Sequence, residues 1–448
     1  MRVLVLYTNP ELSRRKTIDD HLHCFEKYVE GVTFYYCNVL LDLPFYLKWI
    51  QYDGIILHYT LLAQRWCLGY WAHRYHKACL EIANLSGVKV AIPQDEYAHT
   101  NELNRLFKAI GVESIYTCAY PIDYQKLYPR EESGLKHYFT TYTGFVDEET
   151  LDSIKTLHQE GAPRTIDMGY RARRIPYWLG SHGQLKGDVA DAFLAHEGLA
   201  TISSDISTRP SDVFYGKDWM RFLLRCRTVL GCLGGASLHD PEGVIRHKVE
   251  EYVKLHPEAG FKEVEKACFP GLDNDLHLFA LSPRHFECAM TKTCQVLIEG
   301  DYDGVFLPDI HFIELKKDFS NISEVLEKVK DKALCEQMAE RTYRDVILSE
   351  KYTYRAFADQ VISHIRELSQ NVVRGPMTFK ERVLFSLADR LLLWKGKREV
   401  SLIKFFNLWT KWTYKNPRKW KRSIEKKLKV ISFRNRNGPF NSEVRQKD

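Results

Sequence analysis

Apolar and polar positions alternate along the first third of the chain as short hydrophobic runs separated by longer amphipathic stretches. The runs are rich in Val, Ile or Tyr and stand at Arg2–Tyr7, Thr33–Cys37, Gly54–His58, Lys89–Ile92 and Ser114–Tyr116. Such runs read as strands. Between them, Asp19–Tyr28, Trp71–Ala83 and Asn101–Ala109 space their apolar residues as helices do. Strand and helix in alternation predict βαβ units, hence a parallel sheet covered by helices on both faces. Ligands of such sheets sit beyond the carboxyl ends of the strands.

The chain leaves this first series around Phe139–Asp152, and a second begins at Thr165–Met168. Further strands are predicted at Thr228–Cys232, Cys294–Ile298 and Phe312–Leu315. Helices are predicted at Gly187–Glu197, Lys217–Cys226, Pro283–Met290, Ile322–Lys330 and Ala333–Ser349, with a charged helical insertion at Asp240–Lys266. Tyr354–Leu368 ends the compact part. The expected organisation is α/β, with one domain over residues 1–150, a second over 151–370 and a tail over 371–448. A length of 448 residues is itself too great for one ordinary core.

The tail has a different pattern. Phe379, Val383, Leu387, Leu391 and Trp394 recur at three- and four-residue steps, and Phe405, Phe406, Trp409 and Trp412 follow. From Asn371 onward there are 21 Lys and Arg against 6 acidic residues, so the tail carries +15 and the remainder −9. This asymmetry predicts a basic, amphipathic, helical tail that meets an anionic membrane surface through residues 379–430. Nucleic acid is the less favoured partner, because the apolar residues are too dense for a stacking surface alone.

Eleven cysteines with no C-x-x-C pair predict reduced, buried thiols. Met1–Tyr7 lacks the pattern of a secretory leader, and no run of 18 apolar residues occurs. The expected location is therefore cytoplasmic, peripheral at the inner membrane face.

Three stretches suggest phosphate chemistry. In Leu281-Ser282-Pro283-Arg284-His285-Phe286-Glu287, Ser282 suits an N-cap and Pro283 the first helical position. The free N–H groups and partial positive charge of that helix start suit a diphosphate, and Glu287 suits the two hydroxyls of a ribose. A capped surface helix accounts for the same residues. In Gly169-Tyr170-Arg171-Ala172-Arg173-Arg174, three arginines fall in four positions after a strand, and Lys186 follows. Arginine's planar fork matches phosphate oxygens, although a solvated basic loop has the same composition. Gly231-Cys232-Leu233-Gly234-Gly235-Ala236-Ser237 ends a strand in paired glycines, which permit close approach of backbone to ligand as readily as a plain turn. In the first domain, His58 and Asp95 stand at strand ends as candidate bases, with Glu96 beside Asp95. No metal site is expected, since the histidines lack zinc spacing and Asp301-Tyr302-Asp303 falls late in the second domain.

Together these residues resemble the GT-B-fold glycosyltransferases of the broad group 1 or CgeB-like families. Phe286-Glu287-Cys288-Ala289-Met290 is similar to the end of their E-x7-E motif, and Cys294–Ile298 to the buried strand after it. The resemblance implies two Rossmann-like domains facing a cleft, with a last helix crossing back to the first domain. It implies a hexosyltransferase that takes sugar from a nucleoside diphosphate-sugar with retention; the tail suits a glycan or lipid-linked acceptor at the membrane, and Arg173, Lys186 and the helix dipole can replace a metal or other cofactor. By resemblance, Glu287 holds the ribose and Arg173 with Lys186 the diphosphate, while Gly169, Arg171, Gly235, Ser237 and Ser282 complete the donor site. One position departs: Phe279 stands where the family has its first Glu, which leaves a nucleotide-sugar epimerase or an inactive binding protein open.

Overall fold

The computed structural model describes residues 1–9, 16–40, 42–66, 70–159 and 163–369, with isolated positions between 379 and 401. The first sheet contains β1 (Arg2–Tyr7), β2 (Thr33–Asn38), β3 (Gly54–Leu57), β4 (Val88–Ala91), β5 (Ser114–Thr117) and β6 (His137–Thr140). Their order is β2-β1-β3-β4-β5-β6, and every pair is parallel. Along the chain follow β7 (Ile166–Arg171), β8 (Ser204–Ser207), β9 (Cys226–Gly231), β10 (Gly234–Ala236), β11 (Leu278–Ala280), β12 (Cys294–Ile298) and β13 (Phe312–Leu315). The second sheet, β13-β12-β9-β7-β8, is also fully parallel. β10 and β11 pair separately as an antiparallel ribbon.

Both sheets reverse their winding beside the first strand of the series, between β1 and β3 and between β7 and β9. Each is therefore a doubly wound, Rossmann-like sheet with a crevice at its switch point. The long helix Tyr354–Ser369 leaves the second sheet and lies on the first. Its Val361, Ile362 and Ile365 join Val3, Val5 and Ile56 in one core. Ile365 sits 2.5 Å from where a Cβ on Gly54 would stand, so only glycine at that strand start admits the helix. Two doubly wound sheets facing a cleft, with a returning helix, make the GT-B arrangement.

Two further devices tie the halves together. Asp147, between the sheets, accepts hydrogen bonds from Lys27 Nζ (2.9 Å), Tyr28 Oη (2.8 Å) and the Thr150 N–H (2.9 Å). Burial opposes its charge, but bonds from Lys27, Thr150 and Tyr28 outweigh burial and hold the carboxyl well below its usual range. The insertion carries helices Val244–Leu255 and Phe261–Cys268 and reaches over to the first domain. There the Asp240 N–H donates to Tyr97 O at 2.8 Å, and the His99 N–H donates to Asp240 O at 3.0 Å.

Several elements differ from the sequence reading. β6 and β8 are edge strands, and Ser204-Asp205-Ile206-Ser207 has none of the apolar run that marks a buried strand. The helix expected at Gly187–Glu197 begins earlier, at Gly180, because the glycines in its first turns hide its period. The last stretch of Ala333–Ser349 is a π-helical turn, Tyr343–Ile347. β7 runs on through Arg171, which changes the roles of Gly169 and Arg171. All ten described cysteines are free and buried. Among the described residues, no helix is long and apolar enough to cross a membrane.

Candidate active site in the interdomain cleft

At the β7/β9 switch point lies a cavity of about 410 Å³. Its walls include Arg173, Lys186, Ser282, Pro283, Arg284 and Glu287, with Thr17 reaching in from the first domain. The arginine loop and the start of helix Pro283–Met290, far apart in sequence, thus share one pocket. Gly144 makes that approach possible: a Cβ there would stand 2.6 Å from Pro283 Cγ, so the interdomain linker packs directly on the helix start.

The pocket's cations differ in how they are held. Arg173 is exposed and gives one hydrogen bond from Nη2 to Tyr215 Oη at 2.8 Å. Lys186 is half-buried in the second turn of helix Gly180–Ala195, and no described acidic group forms an ion pair with it. Arg284 anchors through Nη2 to Arg171 O (2.6 Å) and lies over the Trp219 ring at 5.2 Å. The sequence pattern placed Arg284 in the helix start without giving it a role. A basic side chain one residue past an N1 proline was the available signal. Trp219, in the helix expected at Lys217–Cys226, and Phe214 form an aromatic wall of the pocket to which the sequence reading gave no role.

Glu287 is half-buried at the pocket's edge and accepts a hydrogen bond from Trp219 Nε1 at 2.8 Å. Burial pushes its carboxyl above the usual range, opposed by the Trp219 bond and the charge of Arg284. Ser282 caps the helix start, and its N–H donates to His285 Nδ1 at 3.0 Å. Burial lowers His285 to about 4, so this ring stays neutral and serves the cap.

Five expected site residues have other roles. Arg171 lines the pocket, but all its donors are taken. Nη2 forms a bidentate pair with Asp205 at 2.8 Å, Nη1 serves Tyr170 O and Asp205 O, and Nε serves Asp212 O. It pins the loop that carries Phe214 instead of meeting phosphate. Gly169 lies inside β7, where a Cβ would collide with Cys226 Sγ at 2.4 Å; it serves sheet packing. Gly235 adopts φ +107 in the ribbon, where a Cβ would overlap Leu278 O. Ser237 is fully buried, and its hydroxyl donates to Asp273 Oδ1 at 2.7 Å. The same oxygen accepts the Ser181 N–H at 3.0 Å, so Asp273 already occupies the start of helix Gly180–Ala195.

The fifth is His58, which is no base. It is fully buried, its Nε2 lies 3.0 Å from His21 Nδ1, and its Nδ1 caps the short helix Tyr59–Leu62. Burial drives its pKa well below the usual value. Asp95, by contrast, is exposed, in a left-handed conformation (φ 55) on the first domain's side of the cleft. Although the residue is exposed, the protein mass around its carboxyl raises it, while the charge of Arg65, a bond from Tyr97 and the charge of Lys186 pull it down. Asp95 does not line the cation pocket itself. Glu96 is fully buried and accepts from Tyr128 Oη (2.8 Å), the Cys118 N–H (2.9 Å) and Thr117 Oγ1, tying together the loops beyond β4 and β5. Phe279, in β11, stacks on His182 with centroids 4.0 Å apart. Among the described residues, no group of three or more His, Cys, Asp or Glu is placed to hold a metal ion.

No protein-family model matches this chain, and no curated protein does. Among solved structures, HepE of Anabaena in complex with UDP is similar, at 9% identity and TM-score 0.44 over 82% of this chain and 100% of that one. The T4 phage β-glucosyltransferase, in complex with its UDP-glucose substrate, is similar at 9% identity and TM-score 0.45 over 83% and 100%. TarM is similar at 10% identity and TM-score 0.36 over 72% and 57%. Identities this low, with TM-scores under 0.5, establish neither a common family nor a shared substrate.

Proposed function

We propose that this chain is a glycosyltransferase that takes a sugar from a nucleoside diphosphate-sugar donor. One observation carries the reading: Arg173, Lys186, Arg284, Glu287 and the start of helix Pro283–Met290 line one cavity at a switch point. Three cations and a helix dipole suit a diphosphate, both in binding and as it departs with negative charge. Glu287, aimed by Trp219, suits the ribose hydroxyls, and Phe214 suits the face of the base. The acceptor enters from the first domain, where Asp95 orients its hydroxyl in a retaining reaction and takes the proton in an inverting one. The positive charge of the pocket fills the part a metal plays elsewhere.

The tail supports a membrane-side location. Phe379, Val383, Leu387, Leu391 and Trp394 are helical and 40–78% exposed, within a segment of strong positive charge. A glycan or lipid-linked acceptor at an anionic membrane face fits this arrangement.

Phe279 favours a second reading, a donor-binding protein without turnover, because it puts an aromatic ring where the resembled family has a carboxylate. Incubation with UDP-, GDP-, ADP-, CMP- and dTDP-sugars, followed by mass spectrometry, separates the two. Release of free nucleotide by the wild type and not by Glu287→Ala supports transfer. Donor binding with no release by either protein supports the second reading.

A further inference from the structure

A second and larger cavity, of about 1140 Å³, opens beside the donor pocket. It lies between helix Gly180–Ala195 and the two insertion helices. Ile175, Tyr177, Trp178, Val249, Val253 and Phe261 give it an apolar lining. Tyr177 and Phe261 pack edge to face at 5.9 Å, which fixes one wall. The two cavities adjoin: Ile175 borders both, and Lys186 of the donor pocket precedes Gly187 of the chamber. Trp178 turns its other side to Tyr97, at 5.8 Å, two residues from Asp95.

A chamber larger than the donor pocket, with a continuous apolar wall, is not needed to hold a nucleotide. Several of its charged groups are paired at the rim: Glu250 with Arg246 at 2.8 Å, Glu263 with Tyr252 Oη at 3.0 Å and Arg174 with Asp191 at 2.6 Å, while Asp188, Lys254 and Lys262 add charge to the same lining. Removing hydrocarbon from water is therefore the main reward this surface offers. A molecule that fills it can extend past Ile175, which borders both cavities, toward the donor pocket that Lys186 lines.

We propose that this chamber takes the hydrocarbon body of the acceptor, an amphiphile whose hydroxyl head turns into the cleft between Asp95 and the donor. The proposal rests on the glycosyltransferase reading for the word acceptor, but binding of the amphiphile is measurable by itself. The insertion helices, which no nucleotide site requires, then build the far wall of the acceptor site.

The test titrates the full chain with monomeric octyl glucoside and with glucose, read through intrinsic tryptophan fluorescence, with Trp178→Phe assigning the signal. In parallel, the five donor sugars are tested for thermal stabilisation. The expected result is saturable octyl glucoside binding, at least about tenfold tighter than glucose because of the buried chain. Val253→Trp, which fills the chamber, or Phe261→Ser, which makes it polar, should weaken it about tenfold or more while donor stabilisation persists. Retained donor stabilisation also shows that the variants fold. A third arm compares phosphatidylglycerol vesicles with and without a diacyl glucoside: tighter binding with the glucoside that Val253→Trp removes marks a bilayer source, and binding of the monomer alone marks a soluble one. Donor binding without octyl glucoside binding, or octyl glucoside binding that both variants leave unchanged, overturns the chamber. Octyl glucoside binding without any donor binding supports the chamber and overturns the transferase reading instead.

Discussion

Trp219 Nε1 donates to Glu287 Oε2 at 2.8 Å, so an indole from one helix aims the carboxylate of another at the edge of the donor pocket. The bond matters because Glu287 is half-buried, and burial alone favours the uncharged acid. Trp219 and the nearby Arg284 together favour the ionised form, which accepts hydrogen bonds without moving. Glu287→Ala should weaken nucleoside diphosphate binding about 10- to 100-fold, the size of a lost charged hydrogen bond. Calorimetric titration measures this. Trp219→Phe should weaken binding less and abolish most of the fluorescence change on binding.

Two basic residues of the same pocket should fail in different ways. Lys186 has no ion pair with a described acidic group, whereas Arg171 gives all its donors to Asp205, Tyr170 and Asp212. Lys186→Met should lower kcat about 10²–10³-fold, the usual cost of a lost charge-stabilising group, with the melting temperature nearly unchanged. Arg171→Met leaves Asp205 and three carbonyls without their donor. It should lower the melting temperature by about 5 °C or more. Calorimetry and steady-state kinetics on both variants check the contrast.

That contrast also marks how far the sequence was readable. The two parallel series were legible because buried strands such as Cys294–Ile298 are continuous apolar runs. The pocket was legible where a local signal coincided with chemistry, as at Ser282-Pro283 and Glu287. Arg171 and Gly169 were misread because β7 extends further than its apolar run; three more strand residues turn loop ligands into sheet parts. Ser237 and Gly235 were misread because their partners, Asp273 and Leu278, lie about forty residues on, across a ribbon with no pattern of its own. His58 looked like a strand-end base. Only the fold reveals His21 and the returning helix packed over it.

Asp95 should set the acidic limb of activity. The protein around it raises its carboxyl above the ordinary value, so a base at this position gains its proton at higher pH than a free aspartate. The rate of transfer should fall as pH drops through that raised range. Asp95→Asn should remove the limb and cut kcat about 10²–10⁴-fold, with the donor KM little changed. If Asp95 only orients the acceptor, as a retaining reaction would require, the loss is far smaller and the limb remains. Proton NMR of the product anomer, alongside the pH profile, distinguishes the two.

Glu96 should make the first domain sensitive to alkali. Burial raises its carboxyl from 4.5 to about 7, despite bonds from Thr117, Tyr128 and Cys118. A group raised on folding contributes stability that is full below its unfolded pKa and lost as pH rises through the folded one. The stability of the wild type relative to Glu96→Gln should therefore decline between about pH 5 and pH 8. Urea titrations across that range provide the check, and a flat difference would speak against the assignment.

The tail should be separable from the catalytic body. Ending the chain at Val373 removes the basic, aromatic segment. The shortened protein should lose flotation with phosphatidylglycerol vesicles and keep its donor binding. Equal flotation by both proteins would remove the membrane proposal.

The donor pocket itself is tested most directly by thermal shift. A ligand that binds only the folded state raises its melting temperature by mass action. Each of the five nucleoside diphosphate- or monophosphate-sugars is offered to the wild type and to Arg284→Ala and Lys186→Met. One donor should stabilise the wild type by several degrees at saturation and either variant much less. If no donor stabilises the wild type, or if both variants respond as it does, Arg284 and Lys186 do not meet a phosphate, and the pocket between them is not the donor site.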